Sequence, residues 1–500
     1  MDMTVNTSKG LVRGFSKDGI GRWFGIPYAQ PPVGDLRFRR ARESESWIGV
    51  CDCTVMAPKP LQFSSGKFDK FIKTDNTASE DCLYLNVWAP DDDPQKKKPV
   101  MFWIYGGENC AGDASAPEYD MSAFARDDIV GVSFNYRLGV LGFYNFSHLD
   151  KTFESNCAVS DMIMALKWVH DNISEFGGDP DNVTIAGHSS GGTAVTALLG
   201  APSVRSYFKR AVIMSGMPGV ITAEKTHKIN RKIFYKTLDL DKYQIAKLRG
   251  MKYEEFAKGV SVIFDGETNG HPGVLTSGPV IDDLVPEDPV EVLERGDLSD
   301  KEIMIGTCRD EGALFHFLKM GPRSWDEFVE MFHLNGYMNY EKKLKDLYAK
   351  MKEKDALKKG IRDRMIFADS VKLALAASKH NKTFMYRFDY VTPICRLMNL
   401  GAAHSMDICP AFDTYTGQMS LFYSRMKKAE LEDIHNLIHG AFVRFITSGD
   451  PSSADEGVEW MPFDERKMLT YIFDRESYPE CEPDKEYYDF WKDIELYKEV

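Results

Sequence analysis

A serine stands between two glycines at Gly187-His188-Ser189-Ser190-Gly191. This G-x-S-x-G pattern is typical of a nucleophilic serine held on a sharp turn between a strand and a helix. The apolar segment Val183–Ala186 precedes it and predicts the strand, while the small residues 192–199 predict the helix. The pattern alone also fits an ordinary glycine-rich turn that packs a helix onto a strand, so other residues must decide.

A serine hydroxyl is a weak nucleophile unless a base takes its proton and a carboxylate orients that base. His404 lies among small residues at 400–405, which let its ring approach another element closely. Glu311 follows the apolar strand Ile303–Ile305, and loops that leave parallel strands carry many functional side chains. These two residues are the candidate base and acid, although spacing alone leaves other histidines and carboxylates open.

A third element could stabilise negative charge on a reacting oxygen. Tyr105-Gly106-Gly107-Glu108 follows the apolar strand Val100–Ile104. Backbone N–H groups in such a glycine loop can point at a developing oxyanion. Taken by itself, the segment also fits a turn that ends a strand.

Strand and helix patterns alternate around these residues, which predicts an α/β fold with a mostly parallel sheet and helices on both faces. Three charged stretches are expected to form peripheral helices, and no composition shift divides the chain, which we interpret as one domain spanning residues 1–500. The predicted strands are Trp23–Tyr28, Tyr84–Trp88, Val100–Tyr105, Ile129–Asn135, Val183–Ala186, Ala211–Met214, Glu302–Ile305 and Thr383–Phe388. The predicted helices are Asp161–Phe176 beside the serine, and Ala223–Glu255, Arg323–Lys359 and Lys427–Ile446 at the periphery.

The composition is that of an ordinary globular protein, and the formal net charge of −13 argues against nucleic acid as a partner. No apolar run is long enough for a membrane span, and the first residues lack the pattern of a signal peptide. The cysteines show no metal-like spacing, so neither a metal nor a cofactor is expected. These features together favour an intracellular, cytoplasmic protein, and they leave the oligomeric state open.

Longer motifs point to a family. The chain carries four of them in this order: Phe24-Gly25-Ile26-Pro27-Tyr28-Ala29-Gln30-Pro31-Pro32-Val33-Gly34-Asp35-Leu36-Arg37-Phe38, Ser79-Glu80-Asp81-Cys82-Leu83-Tyr84-Leu85-Asn86, Asn135-Tyr136-Arg137-Leu138-Gly139-Val140-Leu141-Gly142-Phe143 and Phe176-Gly177-Gly178-Asp179-Pro180. With the serine motif they resemble the type-B carboxylesterase/lipase family, which includes carboxylesterases and cholinesterases, and most closely an intracellular carboxylesterase. The resemblance implies an α/β-hydrolase fold and hydrolysis of a small-molecule ester.

The resemblance also implies roles for single residues. Ser189, Glu311 and His404 match the family's catalytic triad. The remaining matches comprise three donors of the oxyanion hole and three positions that support the triad. The donors are Gly107, Glu108 and Ser190, and the supporting positions are His188, Ser215 and Asp407.

Several positions depart from the family pattern. Glu108 stands where the family has glycine, and Pro60 stands where the usual disulfide partner of Cys82 would be. Cholinesterases carry a glutamate in place of His188 and a choline-stacking tryptophan that this chain lacks between Trp47 and Trp88. A choline ester is therefore not the expected substrate. Glu108 leaves one alternative, a catalytically impaired member that acts as a ligand-binding or interaction protein.

Overall fold

A computed structural model describes residues 3–62, 74, 76–92, 95–221, 224–241, 244–264, 278–417, 419–453 and 457–496. Its strands are β1 Met3–Thr7, β2 Gly10–Lys17, β3 Ile20–Pro27, β4 Val50–Asp52, β5 Lys59–Pro60, β6 Ala78–Ser79, β7 Tyr84–Pro90, β8 Lys98–Ile104, β9 Val130–Phe134, β10 Gly178–His188, β11 Arg210–Met214, β12 Glu302–Cys308, β13 Lys382–Phe388, β14 Thr470–Phe473 and β15 Tyr478–Glu480.

Helices are the other regular elements of the described chain. They are α1 Ser122–Arg126, α2 Gly139–Phe143, α3 Cys157–Asn172, α4 Ser190–Leu199, α5 Glu224–Thr237, α6 Tyr253–Phe264, α7 Pro289–Glu294, α8 Glu311–Leu318, α9 Trp325–Leu334, α10 Glu341–Tyr348, α11 Glu353–Arg362, α12 Ala368–Ser378, α13 Pro393–Leu397, α14 Ile408–Phe412, α15 Ser420–Tyr423, α16 Lys428–Ser448 and α17 Lys485–Trp491. A π-helical turn at Asp363–Phe367 joins α11 to α12. Among these described helices, none is both long enough and apolar enough to cross a membrane.

One large sheet runs through the molecule in the order β1-β2-β3-β7-β9-β8-β10-β11-β12-β13-β14-β15. Its centre, from β9 to β14, is parallel, whereas the strands on both sides pair antiparallel. Because strands of a parallel centre share one direction, their carboxyl ends meet at one edge of the sheet, where α/β proteins bind ligands.

Both faces of this sheet are covered. In β8, Val100, Phe102 and Ile104 belong to one apolar cluster, whereas Met101 and Trp103 belong to another. Side chains of a strand point alternately to opposite faces, so each cluster packs on its own face. Helices α3 and α4 contribute to the first cluster and α16 contributes to the second. The predicted mostly parallel sheet with helices on both faces is confirmed.

Several boundaries differ from their predictions. The predicted helices Ala223–Glu255 and Arg323–Lys359 are each divided into shorter helices, and β10 begins earlier than predicted. The segment Gly177-Gly178-Asp179-Pro180-Asp181-Asn182 is rich in turn residues and predicts a break before a short strand. In the structure Gly177 ends the preceding helical turn with φ 82°, but β10 already begins at Gly178. Pairing with β8 is irregular between Gly178 and Val183, which explains how turn-forming residues are accommodated inside a strand.

Candidate active site

Ser189 lies on the turn between β10 and α4, as the sequence predicts. Its backbone has φ 58° and ψ −124°, a strained conformation for a residue with a side chain. Two hydrogen bonds hold it there: its N–H donates to the Met214 carbonyl at 2.8 Å, and its carbonyl accepts from the Thr193 N–H at 3.0 Å. Strain fixed by the surrounding structure is a feature of functional sites.

The neighbouring glycines let three backbone segments come close together. A Cβ atom on Gly191 would lie 2.1 Å from the Ile104 carbonyl oxygen, and one on Gly187 would lie 2.4 Å from the Gly191 carbonyl oxygen. A Cβ on Gly106 would likewise meet the His188 carbonyl oxygen at 2.5 Å. The glycines therefore bring the end of β8 against the serine turn, so that the loop after β8 lies beside Ser189.

His404 and Glu311 form the contact expected of a base and its orienting acid. The Nδ1 of His404 lies 2.5 Å from Oε2 of Glu311, and because a carboxylate only accepts, Nδ1–H donates. Glu311 is completely buried and His404 is nearly so. Glu311 is the first residue of α8, which begins a short turn after the end of β12. The sequence predicts this position after the strand. His404 and Ser189 line the same cavity.

Two further donors hold the Glu311 carboxylate. The Ser215 hydroxyl donates to Oε1 at 2.6 Å, and the Cys308 N–H donates to the same oxygen at 2.6 Å. Ser215 directly follows β11, whereas Cys308 ends β12. Ser215, which the family resemblance suggests as a supporting residue, thus donates a direct hydrogen bond to the candidate acid Glu311.

Two residues that the sequence does not predict position His404. Asp310 fixes the histidine loop, since its Oδ2 accepts the Ala402 N–H at 2.9 Å and its own N–H donates to the Ala402 carbonyl at 2.9 Å. Phe315 packs against the His404 ring with centroids 4.8 Å apart. One signal was available: Phe315 lies four residues after Glu311, which places both on one face of α8.

Asp407 and His188 also lie near His404. Asp407 is completely buried, and the Tyr386 hydroxyl donates to its Oδ2 at 2.8 Å. Burial, reinforced by the charge of Glu311, raises the pKa of Asp407 to about 6. The His188 ring lies 4.6 Å from the His404 ring between centroids. Burial and then the neighbouring His404 lower the pKa of His188 well below its usual value, so its imidazole is neutral.

The loop after β8 turns sharply beside Ser189. Both the Cys110 and Ala111 N–H groups donate to the Gly107 carbonyl at 3.0 Å, and Gly107 has φ 134°. Glu108 has φ 56°, the left-handed conformation for which a glycine would be unstrained. The Asn109 N–H donates to the Ser190 hydroxyl at 3.1 Å, which ties this loop to the start of α4. The candidate oxyanion donors Gly107, Glu108 and Ser190 are thereby brought together.

A cavity of about 1130 Å³, counted with its open mouth, surrounds Ser189. Most of its wall is apolar, and the polar side chains include two carboxylates and two imidazoles. Its lining residues are Thr74, Gly106, Gly107, Glu108, Ala116, Pro117, Glu118, Tyr119, His188, Ser189, Met217, Leu314, Phe315, Leu318, Met320, Met365, His404, Ser405, Ile408, Gly417 and Met419. The cavity has the mostly apolar wall and the few polar groups of a small-molecule site.

Comparison with known proteins decides the family. Residues 1–491 match the model of the carboxylesterase family. The chain belongs to the carboxylesterase family. As the sequence predicts, this carboxylesterase has the α/β-hydrolase fold and is a serine hydrolase.

Individual relatives are similar over nearly the whole chain. The para-nitrobenzyl esterase of Bacillus subtilis strain 168 is 34% identical over 491 residues, which cover 96% of this chain and 97% of that protein. The phenmedipham hydrolase of Pseudarthrobacter oxydans is 31% identical and covers 92% of each chain. A solved PNB esterase structure superposes with a TM-score of 0.88 at 31% identity, over 98% of this chain and 99% of that one.

Proposed function

We propose that this carboxylesterase hydrolyses small-molecule esters through an acyl-enzyme on Ser189, with His404 as base and Glu311 as its orienting acid. One observation carries the proposal: the strained Ser189 turn and His404 line the same cavity, and Nδ1 of His404 is held 2.5 Å from the buried Glu311. With Nδ1 committed to the acid, the other ring nitrogen, Nε2, is the one that can accept the serine proton.

The reaction has two balanced halves. In the first, His404 takes the Ser189 proton while Oγ attacks the ester carbonyl, and the tetrahedral intermediate collapses as His404 gives that proton to the departing alcohol. In the second, His404 takes a proton from water, the resulting hydroxide attacks the acyl carbon, and the proton returns to Ser189 as the acid leaves. Glu311 stabilises the imidazolium in both halves without taking its proton.

The carbonyl oxygen becomes negative in each tetrahedral intermediate. The backbone N–H groups of Gly107, Glu108 and Ser190 are our candidates for stabilising that charge. Ser190 is the first residue of α4, and the N–H groups of a helix's first turn have no partner within the helix. The positive end of the helix dipole adds to the same effect.

The first test compares p-nitrophenyl acetate hydrolysis by the wild type and Ser189→Ala. We expect the variant to lose about 10⁶-fold in kcat, as serine hydrolases do when the nucleophile is removed. Ser160→Ala is the matched control. Ser160 is another buried serine, and its hydroxyl hydrogen-bonds backbone groups away from the Ser189 site. Equal kcat values for the wild type and Ser189→Ala would contradict the proposal.

Glu108 supports a second candidate function, that of an impaired carboxylesterase that mainly binds its ligand. The residue has φ 56° in the oxyanion loop, and its carboxylate lines the cavity where negative charge must develop. A non-glycine residue in this conformation costs about 1–2 kcal/mol. Both effects oppose catalysis without preventing ligand binding.

Replacing Glu108 with glycine separates the two functions. If Glu108 limits an active esterase, turnover of a short-chain ester rises several-fold in Glu108→Gly, because strain and a negative charge leave the loop. Glu118→Gln is the control, since it removes another cavity carboxylate without changing the loop. Unchanged turnover in Glu108→Gly would show that the side chain does not affect the oxyanion hole, whereas ester binding without hydrolysis by the wild type, with hydrolysis gained in Glu108→Gly, would favour the impaired protein.

A further inference from the structure

A lysine-rich stretch, residues 342–359, contrasts with the acidic charge of the chain as a whole. This lysine segment contains eight lysines and three carboxylate side chains, whereas the chain has a formal net charge of −13. Its helices, α10 and α11, lie at the periphery of the fold. A local excess of positive charge attracts anionic partners, even on a protein that is acidic overall.

Five lysines of the segment are exposed and have no ion-pair partner among the described residues. The other three are held by neighbouring carboxylates or a backbone carbonyl. The five are Lys342, Lys343, Lys350, Lys352 and Lys354. The last three follow one another closely between the end of α10 and the first turn of α11. Their ammonium groups are therefore available to an anionic partner.

Helix α8 joins the lysine segment to the cavity of the candidate active site. It packs tightly on α11, since a Cβ atom on Gly312 would lie 2.0 Å from the Lys358 carbonyl oxygen. Burial, and then the charges of Lys354 and Lys358, lower the pKa of His316, so both ammonium groups lie near this part of α8. Two leucines of the same helix line the cavity. The lysines therefore lie beside a helix that forms part of the cavity wall.

Large apolar side chains are exposed next to these charges. Phe317, which follows His316 on α8, is 47% exposed, and Met338, which lies shortly before α10, is 63% exposed. Covering such side chains with an apolar environment is favourable. Lysines combined with exposed apolar groups are typical of proteins that lie on membranes, where acyl chains begin just beneath anionic headgroups.

An anionic lipid surface suits both features, whereas other polyanions suit only one. A nucleic acid would attract the lysines through its phosphates, but its phosphate backbone offers no apolar interior for Phe317 or Met338. The mostly apolar wall of the cavity also suits esters that partition into lipid. These observations favour a lipid surface as the partner.

We propose that the lysine segment and the exposed side of α8 dock this carboxylesterase on anionic lipid surfaces. Lys350, Lys352 and Lys354 contact the headgroups, and Phe317 enters the boundary between the headgroups and the acyl chains. Docking brings the enzyme to the place where apolar esters accumulate. The inference goes beyond ester hydrolysis, and docking itself does not require Ser189.

Co-sedimentation of the full chain with vesicles tests the proposal. The vesicles consist of phosphatidylcholine alone or of phosphatidylcholine mixed with phosphatidylserine, and Ser189→Ala protein is used beside the wild type so that hydrolysis plays no part. We expect both proteins to bind the anionic vesicles at least about tenfold more tightly than the neutral ones. This preference should shrink as the salt concentration rises, because salt screens exposed charges.

Neutralising lysines gives the sharpest comparison. The triple variant Lys350→Gln, Lys352→Gln and Lys354→Gln should bind anionic vesicles about a hundredfold more weakly, since each lysine near such a surface contributes about fivefold. The matched control loses the same net charge and should stay within a few-fold of the wild type. It neutralises three exposed lysines that lie just before parallel strands, at the opposite edge of the sheet from the cavity: Lys97→Gln, Lys209→Gln and Lys467→Gln.

The apolar contact is tested separately. Phe317→Ser should weaken vesicle binding about tenfold, because an apolar side chain no longer enters the lipid. Equal binding of the two vesicle compositions, equal losses in the two triple variants, or binding of a DNA duplex in place of the vesicles would overturn the proposal. Both triple variants should hydrolyse p-nitrophenyl acetate like the wild type. A failure of docking therefore leaves the proposed ester hydrolysis intact, and a failure of hydrolysis leaves docking intact.

Discussion

Two buried carboxylates lie near His404 and differ sharply in their surroundings. Glu311 accepts hydrogen bonds from the His404 ring, the Ser215 hydroxyl and the Cys308 N–H. Asp407 accepts one from the Tyr386 hydroxyl, and its Oδ1 has no partner among the described residues. Both side chains are completely buried, so burial does not explain the difference.

These surroundings suit two acids of similar chemistry to different roles. Donors around Glu311 stabilise negative charge, which suits a group that must balance an imidazolium. Burial and the charge of Glu311 raise the pKa of Asp407 to about 6, so near neutrality its charge is only weakly favoured. We expect Glu311 to act on the reaction through His404 and Asp407 to act mainly on stability.

The largest predicted difference is in catalysis. Glu311→Gln should reduce kcat about 10⁴-fold, because an amide no longer fixes the histidine tautomer or stabilises its positive form. Asp407→Asn should reduce kcat less than about tenfold, since the Tyr386 hydroxyl keeps an acceptor. Steady-state hydrolysis of p-nitrophenyl acetate measures both values. Equal losses in the two variants would remove the distinction between the acids.

The second prediction concerns pH and stability. Because the pKa of Asp407 is higher in the folded state than the ordinary value near 4, the native protein holds this proton more tightly. The stability that the folded protein gains from holding this proton on Asp407 is present below about pH 4 and is lost as the pH rises to about 6. Asp407→Asn lacks this dependence, so relative to the wild type it should gain about 2–3 kcal/mol between pH 4 and pH 7.

Chemical denaturation of both proteins across this pH range measures the difference, and contributions from all other titrating groups largely cancel. A constant difference between the variant and the wild type would mean that Asp407 does not titrate in this window. A difference of the opposite sign would mean that its carboxylate is stabilised by folding.

The smallest predicted effect on kcat comes from removing the hydroxyl groups that donate hydrogen bonds to the two carboxylates. Ser215→Ala removes one hydrogen bond to Glu311 and should lower kcat about tenfold, the order expected for a bond to a charged group. Tyr386→Phe is the matched change at Asp407 and should leave kcat within a few-fold. If Tyr386→Phe is the more damaging variant for kcat, the roles that we assign to the two carboxylates are reversed.

The sequence predicts the parts of this site that depend on local pattern. The G-x-S-x-G motif predicts the Ser189 turn, and the apolar run Val100–Ile104 predicts the central strand β8. The Asp310 contact with the Ala402 backbone joins residues 92 positions apart, and no local pattern reveals it. The same is true of Nε2 of His188, which has no hydrogen-bond partner among the described residues because of what packs around it. The local sequence makes Glu311 and His404 candidates and the family resemblance selects them, but the difference between Glu311 and Asp407 appears only with their partners.

The most direct test of the central claim is to map a covalent adduct. A fluorophosphonate should react with the Ser189 oxygen, displacing fluoride, and intact-mass and peptide analysis should find one adduct per chain on the peptide containing Ser189. Labelling should be lost in Ser189→Ala and should be much slower in Glu311→Gln than in Asp407→Asn. An adduct on another residue, or no adduct in a folded wild-type protein, would contradict the assignment of Ser189 as the nucleophile.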